Sequence, residues 1–332
     1  MMIYDQTLTN FPRLAGETDD SPRIMRAIEA AAGGELYIPK GVYEIATPIE
    51  IKGFTSIQLH TSAVLRAVKE MDYVLSYDGE KQEDINSLIE GRRMRNLYLK
   101  GGVIDGNGLA NGVYIQRVCH YTISDMHILN GKKYGLHTGD TGCELIGSNL
   151  YINCTMPGLK GNVGMCLNMG DCHYHDCVIV DYTVGVEMFG GSNRLDRIHV
   201  WGGPVKTPEN PKISEYLLDS ISFHVMPKGG FNEIVLRDCY ADTAAIGFLI
   251  EDHTRMYGCS YFNNFEPFPT IDDPTIIDHR DGYLYCDGLK CTFGSPSGTY
   301  YKRGEKGTLV WGNNFKEAKG IAEILTLEGL VK

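Results

Sequence analysis

Between residues 112 and 264 one short pattern recurs, and it limits the fold more than any other feature of the chain. Its units open with "GVYIQ" at 112, "GLHTG" at 135, "GMCLN" at 164, "GVEMF" at 185, "SFHVM" at 222 and "GFLIE" at 247. Each is a strand-length run of period 2. The second and fourth positions are mostly apolar, from Val113 and Ile115 to Phe248 and Ile250. The third and fifth are mixed, and the third reads Tyr114, His137, Cys166, Glu187, His224 and Leu249.

About ten residues on, each unit carries a second run. These are "SDMHIL", "SNLYIN", "HDCVIV", "DRIHVW", "RDCYAD" and "YGCSYF". An Asn, Asp or Gly usually precedes the apolar residue, as a tight turn requires. The apolar residue itself reads Met126, Leu150, Cys177, Ile198, Cys239 and Cys259. Three cysteines therefore share one inward column, where a buried thiol behaves as a small hydrophobe. Most of the 10 cysteines read as reduced core residues, and no CxxC pair suggests zinc.

The unit starts are spaced 23, 29, 21, 37 and 25 residues apart. Runs this short and this rich in turn residues exclude a helical solenoid. Coils of two or three strands each predict a parallel β-helix. The longer spacings mark insertions: "TMPGLKGN" (155–162), "GGPVKTPENPKISEY" (202–216) and "EPFPTIDDPT" (266–275). An open solenoid needs a cap at its first coil. "SPRIMRAIEAAA" (21–32) supplies one, with Asp20 or Ser21 as N-cap, Pro22 in the first turn and Gly33 at the end. The expected organisation is one domain over 1–332: an N-terminal cap at 1–35, coils at 36–315 and a C-terminal cap at 316–332.

The segment "GETDDSPRIMRAIEAAAGGELYIPKGVYEI" (16–45) resembles the opening of the pectate-lyase-like superfamily. The points of likeness are Asp19–Asp20, the helix, Gly33–Gly34, the strand Leu36–Ile38 and the turn Pro39–Tyr43. "GGVIDGNG" (101–108) is similar to that superfamily too. The resemblance implies an all-β fold, a single-stranded right-handed parallel β-helix with an N-terminal capping helix. It also implies action on, or binding of, a carbohydrate chain. Polygalacturonases are marked by Asn-Thr-Asp, Asp-Asp, Gly-His-Gly and Arg-Ile-Lys. The coils here read "HTGD", "NMGD", "VEMFGG" and "FHVMPKGG", and none matches. The acidic calcium cluster and Arg base of pectate lyases have no clear counterpart either. No metal or other cofactor is expected.

A charged residue inside "GVEMF" is explained if Glu187 is thrown outward between inward Val186 and Met188. Stacked coils are about 4.8 Å apart. Tyr114, His137, Cys166, Glu187, His224 and Leu249 then form the floor of a groove, and the insertions supply walls. Partial desolvation beside Met188 and Phe189 is expected to raise the pKa of Glu187, which suits a general acid. Asp140 is the expected base or nucleophile, with Asp171 in reserve. Two coils separate Asp140 from Glu187, and Glu187 from Glu251, or roughly 9–10 Å along the axis. Carboxyls about 6.5–9.5 Å apart suit inversion, and a closer pair such as Asp171 and Glu187 suits retention. His137 and His224 are expected to orient sugar hydroxyls, Tyr114 and Trp201 to stack on sugars, and Glu251 to bind substrate. Each Asp also has a plainer role as a turn residue. Asp125, Asp176 and Asp238 repeat at equivalent turns and read as structural.

The net charge of −11 argues against nucleic acid and against anionic membranes. No apolar run reaches the length of a membrane span. "MMIYDQTLTNFPRL" lacks a basic stretch followed by an apolar run, so no signal peptide is expected and a cytoplasmic or phage-derived protein is. The expected function is a glycoside hydrolase or glycosyl-transferring enzyme on an oligo- or polysaccharide, using paired carboxylates. A polysaccharide lyase or uronate epimerase, with Lys228, Arg255, His224 or Tyr114 as base, is the first alternative. A non-catalytic, tailspike-like glycan binder is the second. The outward Phe189, Met226 and Leu249 fit a homotrimer interface.

Overall fold

The computed structural model describes residues 4–79, 97–189 apart from 157, 158 and 160, 191–202, 220–226, 234–242 and 244. Beyond these it describes Cys259 and strands as far as Gly312. The chain winds as a right-handed parallel β-helix, and its described residues are all-β apart from the N-terminal helix and one short 3-10 turn.

Each coil contributes to two large sheets. Sheet A has two strips. The first holds strands such as Glu35–Ile38, Leu97–Lys100, His173–His175 and Arg194–Asp196. The second holds Gly41–Ile45, Val103–Asp105, Val178–Val180 and His199–Trp201. Tyr121–Leu129 and Ile146–Asn153 run through both strips. Sheet B stacks Ile49–Ile51, Tyr73–Asp78, Asn111–Gln116, Tyr134–Thr138, Val163–Leu167, Val184–Met188, Ile221–Val225 and Ile246–Ile250.

The bend between the strips is one residue wide. Asp125, Asn149, Asp176, Arg197 and Asp238 occupy it with φ from 50° to 55°. Asp and Asn enter this left-handed region readily because their short side chains bond locally. Asn149 Nδ2, for example, donates to Asp125 Oδ1 of the coil before at 2.7 Å. The residue after the bend turns inward: Met126, Leu150, Cys177, Ile198, Cys239 and Cys259 are all buried, the cysteines as free thiols. Buried asparagines satisfy the other corners. Asn162 Oδ1 accepts from Thr183 N at 2.9 Å, and Asn193 Oδ1 from Cys172 N at 2.9 Å.

The entry into sheet B explains the glycine that opens most units. Gly112, Gly135, Gly164 and Gly185 are buried and stacked in register. A Cβ on each would lie 2.4–2.7 Å from the carbonyl oxygen of the next residue in the column, Gly135, Gly164, Gly185 and Ser222. The same Cβ would lie 2.2–2.5 Å from a methyl of Ile128, Ile152, Ile179 or Val200 on the second strip. Those four residues form their own ladder, which Ala241 continues. Where the glycine column changes to Ser222, the facing ladder thus changes to Ala241, and both are fully buried. The smaller partner makes room for the larger one.

The first coil is sealed by the helix Ser21–Ala30, which buries Ile24, Ala27 and Ile28. Asp20 holds the N-cap position, but its carboxylate is used elsewhere. It accepts two bonds from Arg13, one from Glu44 N and an ion pair from Arg23. Ser21 Oγ instead ties the helix to the chain, accepting from Ala46 N and Thr47 N.

At the far end Tyr283–Cys286 and Thr292–Phe293 continue the parallel coils. Thr299–Arg303 and Thr308–Gly312, the latter expected as a further coil, pair antiparallel instead. This turn-back covers the edge of sheet B that a last coil would leave open. The expected C-terminal cap at 316–332 lies outside the described residues.

The contact of the glycine column with the facing ladder gives a stability prediction. Gly185→Ala should cost about 2 kcal/mol, since overpacking of a tight core costs 1–3 kcal/mol. Val200→Ala should relieve part of it, with a coupling of about 1 kcal/mol in a double-mutant cycle read by denaturant unfolding. Strict additivity would mean that the two side chains do not meet.

Candidate functional site

The outward face of sheet B carries the polar column. Backbone register places Glu50, Ser76, Tyr114, His137, Cys166, Glu187, His224 and Leu249 on successive coils. Glu187 is half-buried and points outward between fully buried Val186 and Met188. Its neighbours in the column are Cys166 and His224, each about 4.8 Å away along the axis.

Four coils are linked by side-chain hydrogen bonds. The Cys166 thiol donates to Glu187 Oε1 at 3.7 Å and lies 4.0 Å from Asn168 Oδ1. Burial, and then the charge of Glu187, push Cys166 up to about 12, so it stays a neutral donor. Asn168 turns its amide nitrogen to His137 Nε2 at 3.3 Å. An N–H donor at Nε2 makes that nitrogen the acceptor. The ring proton therefore sits on Nδ1, which meets the Tyr73 hydroxyl at 2.5 Å. With His137 donating to it, the Tyr73 hydroxyl keeps its own proton to give.

His137 is enclosed by the rings of Tyr134 at 4.4 Å, Tyr114 at 5.0 Å and Tyr73 at 5.9 Å. Burial, helped by the nearby Lys133 ammonium, lowers its pKa to about 4. Lys133 itself lies 4.8 Å over the Tyr134 ring. Its pKa is raised by the hydrogen bond with Tyr134, and Glu187 adds to this.

Tyr114 is less open on the outward face than a sugar-stacking residue would be. Its ring is stacked on Tyr73 at 4.8 Å, and its hydroxyl donates to Gln116 Oε1 at 2.6 Å. Gln116 and Arg117 both bind Asp78, Arg117 through two nitrogens at 2.8 and 2.9 Å. These contacts need Gly139 beside them, because a Cβ there would lie 2.5 Å from that of Gln116.

The expected carboxylate partners lie off the column. Asp140 is exposed, three residues beyond His137, and accepts from Thr141 Oγ1 at 3.0 Å. It is offset from Glu187 by two coils along the axis and by about 10 Å along the strand direction. Asp171 is exposed in a left-handed turn (φ 53°). Its N–H donates to Gly191 O at 3.0 Å, which sets it level with the turn after Val184–Met188 rather than beside Glu187. Trp201 is half-exposed on the second strip of sheet A, in register between Val180 and Asp242, and so on a different face. His224 is half-buried next to Glu187, while Glu251 lies outside the described residues.

Sequence reasoning missed Tyr73, Tyr134, Asn168 and Lys133. The run "DYVLSYD" (72–78) has the period and pairs directly with Asn111–Gln116. It lacks the opening glycine by which the units were found. In chain order, each of the three insertions comes between a strand of the second strip of sheet A and the next strand of sheet B.

No protein-family model matches the sequence, and no curated protein sequence matches it. Solved structures share the fold. One is ORF18 of Geobacillus virus E2, 15% identical, with a TM-score of 0.56 over 90% of this chain and 63% of that one. Another is the tailspike protein of E. coli bacteriophage HK620 in complex with a pentasaccharide, 13% identical, with a TM-score of 0.57 over 86% of this chain and 61% of that one. A third is the endo-xylogalacturonan hydrolase of Aspergillus tubingensis, 14% identical, with a TM-score of 0.52 over 85% of this chain and 82% of that one. This chain thus spans less than two thirds of either phage protein.

The environment of His137 sets a pH dependence. With a pKa near 6.5 unfolded and about 4 folded, the unfolded chain binds a proton that the folded chain does not. The contribution is complete above about pH 6.5 and is lost as pH falls toward 4. Allowing for solvent at the ring edge, it amounts to roughly 1–2 kcal/mol. Denaturant midpoints measured from pH 4.5 to 7 should show this slope, and His137→Gln should flatten it. An unchanged slope in the variant would place the titration on another group.

Proposed function

We propose that the chain binds an oligo- or polysaccharide along the outer face of sheet B and hydrolyses or transfers its glycosidic bonds, with Glu187 as proton donor. The observation that carries this is the linked polar column. A half-buried carboxylate stands in register between a neutral thiol and a histidine, one coil from a network that ends on a free tyrosine proton. Sugars present alternating donors and acceptors along an extended chain, and a ladder repeating about every 4.8 Å offers matching partners. The hydrolase and the glycan-bound tailspike that share the fold support the substrate class.

In this reading Glu187 protonates the leaving oxygen, and Asp140 or Asp171 acts from the adjoining turns as base or nucleophile. His137 is held as a fixed neutral ring that orients Tyr73. Tyr73 and His224 contact sugar hydroxyls, and Tyr114 packs behind them. Trp201 and Glu251 are proposed to bind more distant sugar units.

One feature favours a second reading. Among the described residues, the outward positions on the strands flanking Glu187 hold no second carboxylate: they are Tyr134, Val163, Asn168, Val184, Phe189, Ile221 and Met226 besides the column itself. A face of that kind also suits binding without cleavage.

Glu187→Gln separates the two. The substitution keeps the shape and the acceptor for Cys166, so the melting temperature should stay within about 2 °C. Release of reducing ends from a panel of neutral and acidic polysaccharides should fall at least 100-fold, since general acid catalysis is worth 10²–10⁴. Binding with no release by the unsubstituted chain would support the second reading. Full turnover by the variant would remove Glu187 from the chemistry.

The half-buried, outward Phe189 and Met226 further suggest assembly as a homotrimer. Sedimentation equilibrium should return three times the chain mass of 36.9 kDa, and a single-chain mass would exclude it.

A further inference from the structure

Six of the eight described cysteines are buried, and Cys119 and Cys143 are the two that are not. These two stand side by side. Val118–Cys119 and Gly142–Cys143 form a short parallel ladder at the corner that follows sheet B, with Cys119 opposite Cys143. Their sulfurs are 3.2 Å apart. Opposed residues of a parallel ladder have Cα atoms about 4.8 Å apart, inside the 4.4–6.8 Å span of disulfides. Closing the sulfurs to about 2.05 Å needs rotation of the side chains and no change of register.

The surroundings hold the two coils in place around the pair. Arg117 N–H donates to Thr141 O at 2.6 Å on one side. On the other, His120 Nε2 and Glu144 Oε2 meet at 2.8 Å. Neither thiol serves the column of Glu187, and neither fills the core. Two partly accessible thiols in register are unlike the buried cysteines of the inward column, whose packing explains them.

We propose that Cys119 and Cys143 are a redox-modification site, a vicinal dithiol that is closed to a cross-coil disulfide by a small-molecule disulfide oxidant. The Cys119 thiolate attacks one sulfur of the oxidant R–S–S–R, forming a mixed disulfide and expelling R–S⁻, which takes up the proton that Cys119 lost. The Cys143 sulfur, losing its own proton to solvent, then attacks Cys119 Sγ. The second R–S⁻ leaves and is protonated in turn. Two protein thiols are oxidised, and one oxidant disulfide is reduced to two thiols. Burial, and then the hydrogen bond with Cys119, push Cys143 up to about 12, so Cys119 makes the first attack.

The product links two coils at the base of the turn that carries Asp140 and encloses a loop of about 25 residues. Such a link should raise the melting temperature of the chain by about 5 °C.

The test uses the full chain, with oxidised glutathione as the probe. Free thiols are alkylated under denaturing conditions, and peptides are mapped without reduction. The expected result is a peptide pair joined through Cys119 and Cys143, a melting temperature about 5 °C higher and reversal of both by dithiothreitol. Cys143→Ser should trap a glutathione adduct on Cys119, and Cys119→Ser should leave Cys143 alkylatable. Recovery of both cysteines as free thiols in the unsubstituted chain would overturn the proposal. So would pairing confined to other cysteines, or a glutathione adduct that never closes.

Discussion

The close approach of sheet B to the second strip of sheet A governs this structure. At the entry to four successive sheet B strands the backbone lies against a β-branched side chain on one side and the next coil's carbonyl on the other. Only a residue without a Cβ fits there while Ile128, Ile152, Ile179 and Val200 face it. Where Ser222 takes the place of glycine the facing ladder holds Ala241, and Val74, one coil before Gly112, begins the column. This contact sets how each coil sits on the last. Parallel pairing then repeats the choice at about 4.8 Å, so that like positions stack into columns.

Columns turn a weak local feature into a candidate site. A lone Glu at the third position of one strand would be a surface charge. Placed over Cys166 and under His224, and joined through Asn168 and His137 to Tyr73, it becomes the middle of a graded line. Burial of the inner members keeps His137 and Cys166 neutral. Each insertion comes in chain order just before a sheet B strand that carries this face. The helix cap and the buried Asp20 cluster protect the first coil at a distance from it.

Much of this was legible because period and turn chemistry are local. The alternation in "GVEMF" sends Glu187 outward, and the Asp or Asn before Met126, Leu150 and Cys177 marks the left-handed bend. Lateral position was not legible. Asp140 and Asp171 share coils with the column, but the turn after each strand carries them past it, and a one-dimensional spacing holds no such offset. Trp201 is near Glu187 in sequence, yet the turn after Met188, the strand Arg194–Asp196 and the bend at Arg197 carry it onto the other sheet. Tyr73 was hidden because its strand enters sheet B through Val74 instead of glycine. Nor does period 2 reveal strand direction, so the antiparallel return of Thr308–Gly312 read as one more coil.

The outer face of sheet B, centred on Glu187, is proposed as the place where the chain meets a glycan. A crystal structure with a bound oligosaccharide tests it directly. Sugar density should run along the axis across His137, Glu187 and His224, within hydrogen-bonding distance of the Tyr73 hydroxyl. Density seated instead on sheet A, with the column of Glu187 left to water, would contradict it.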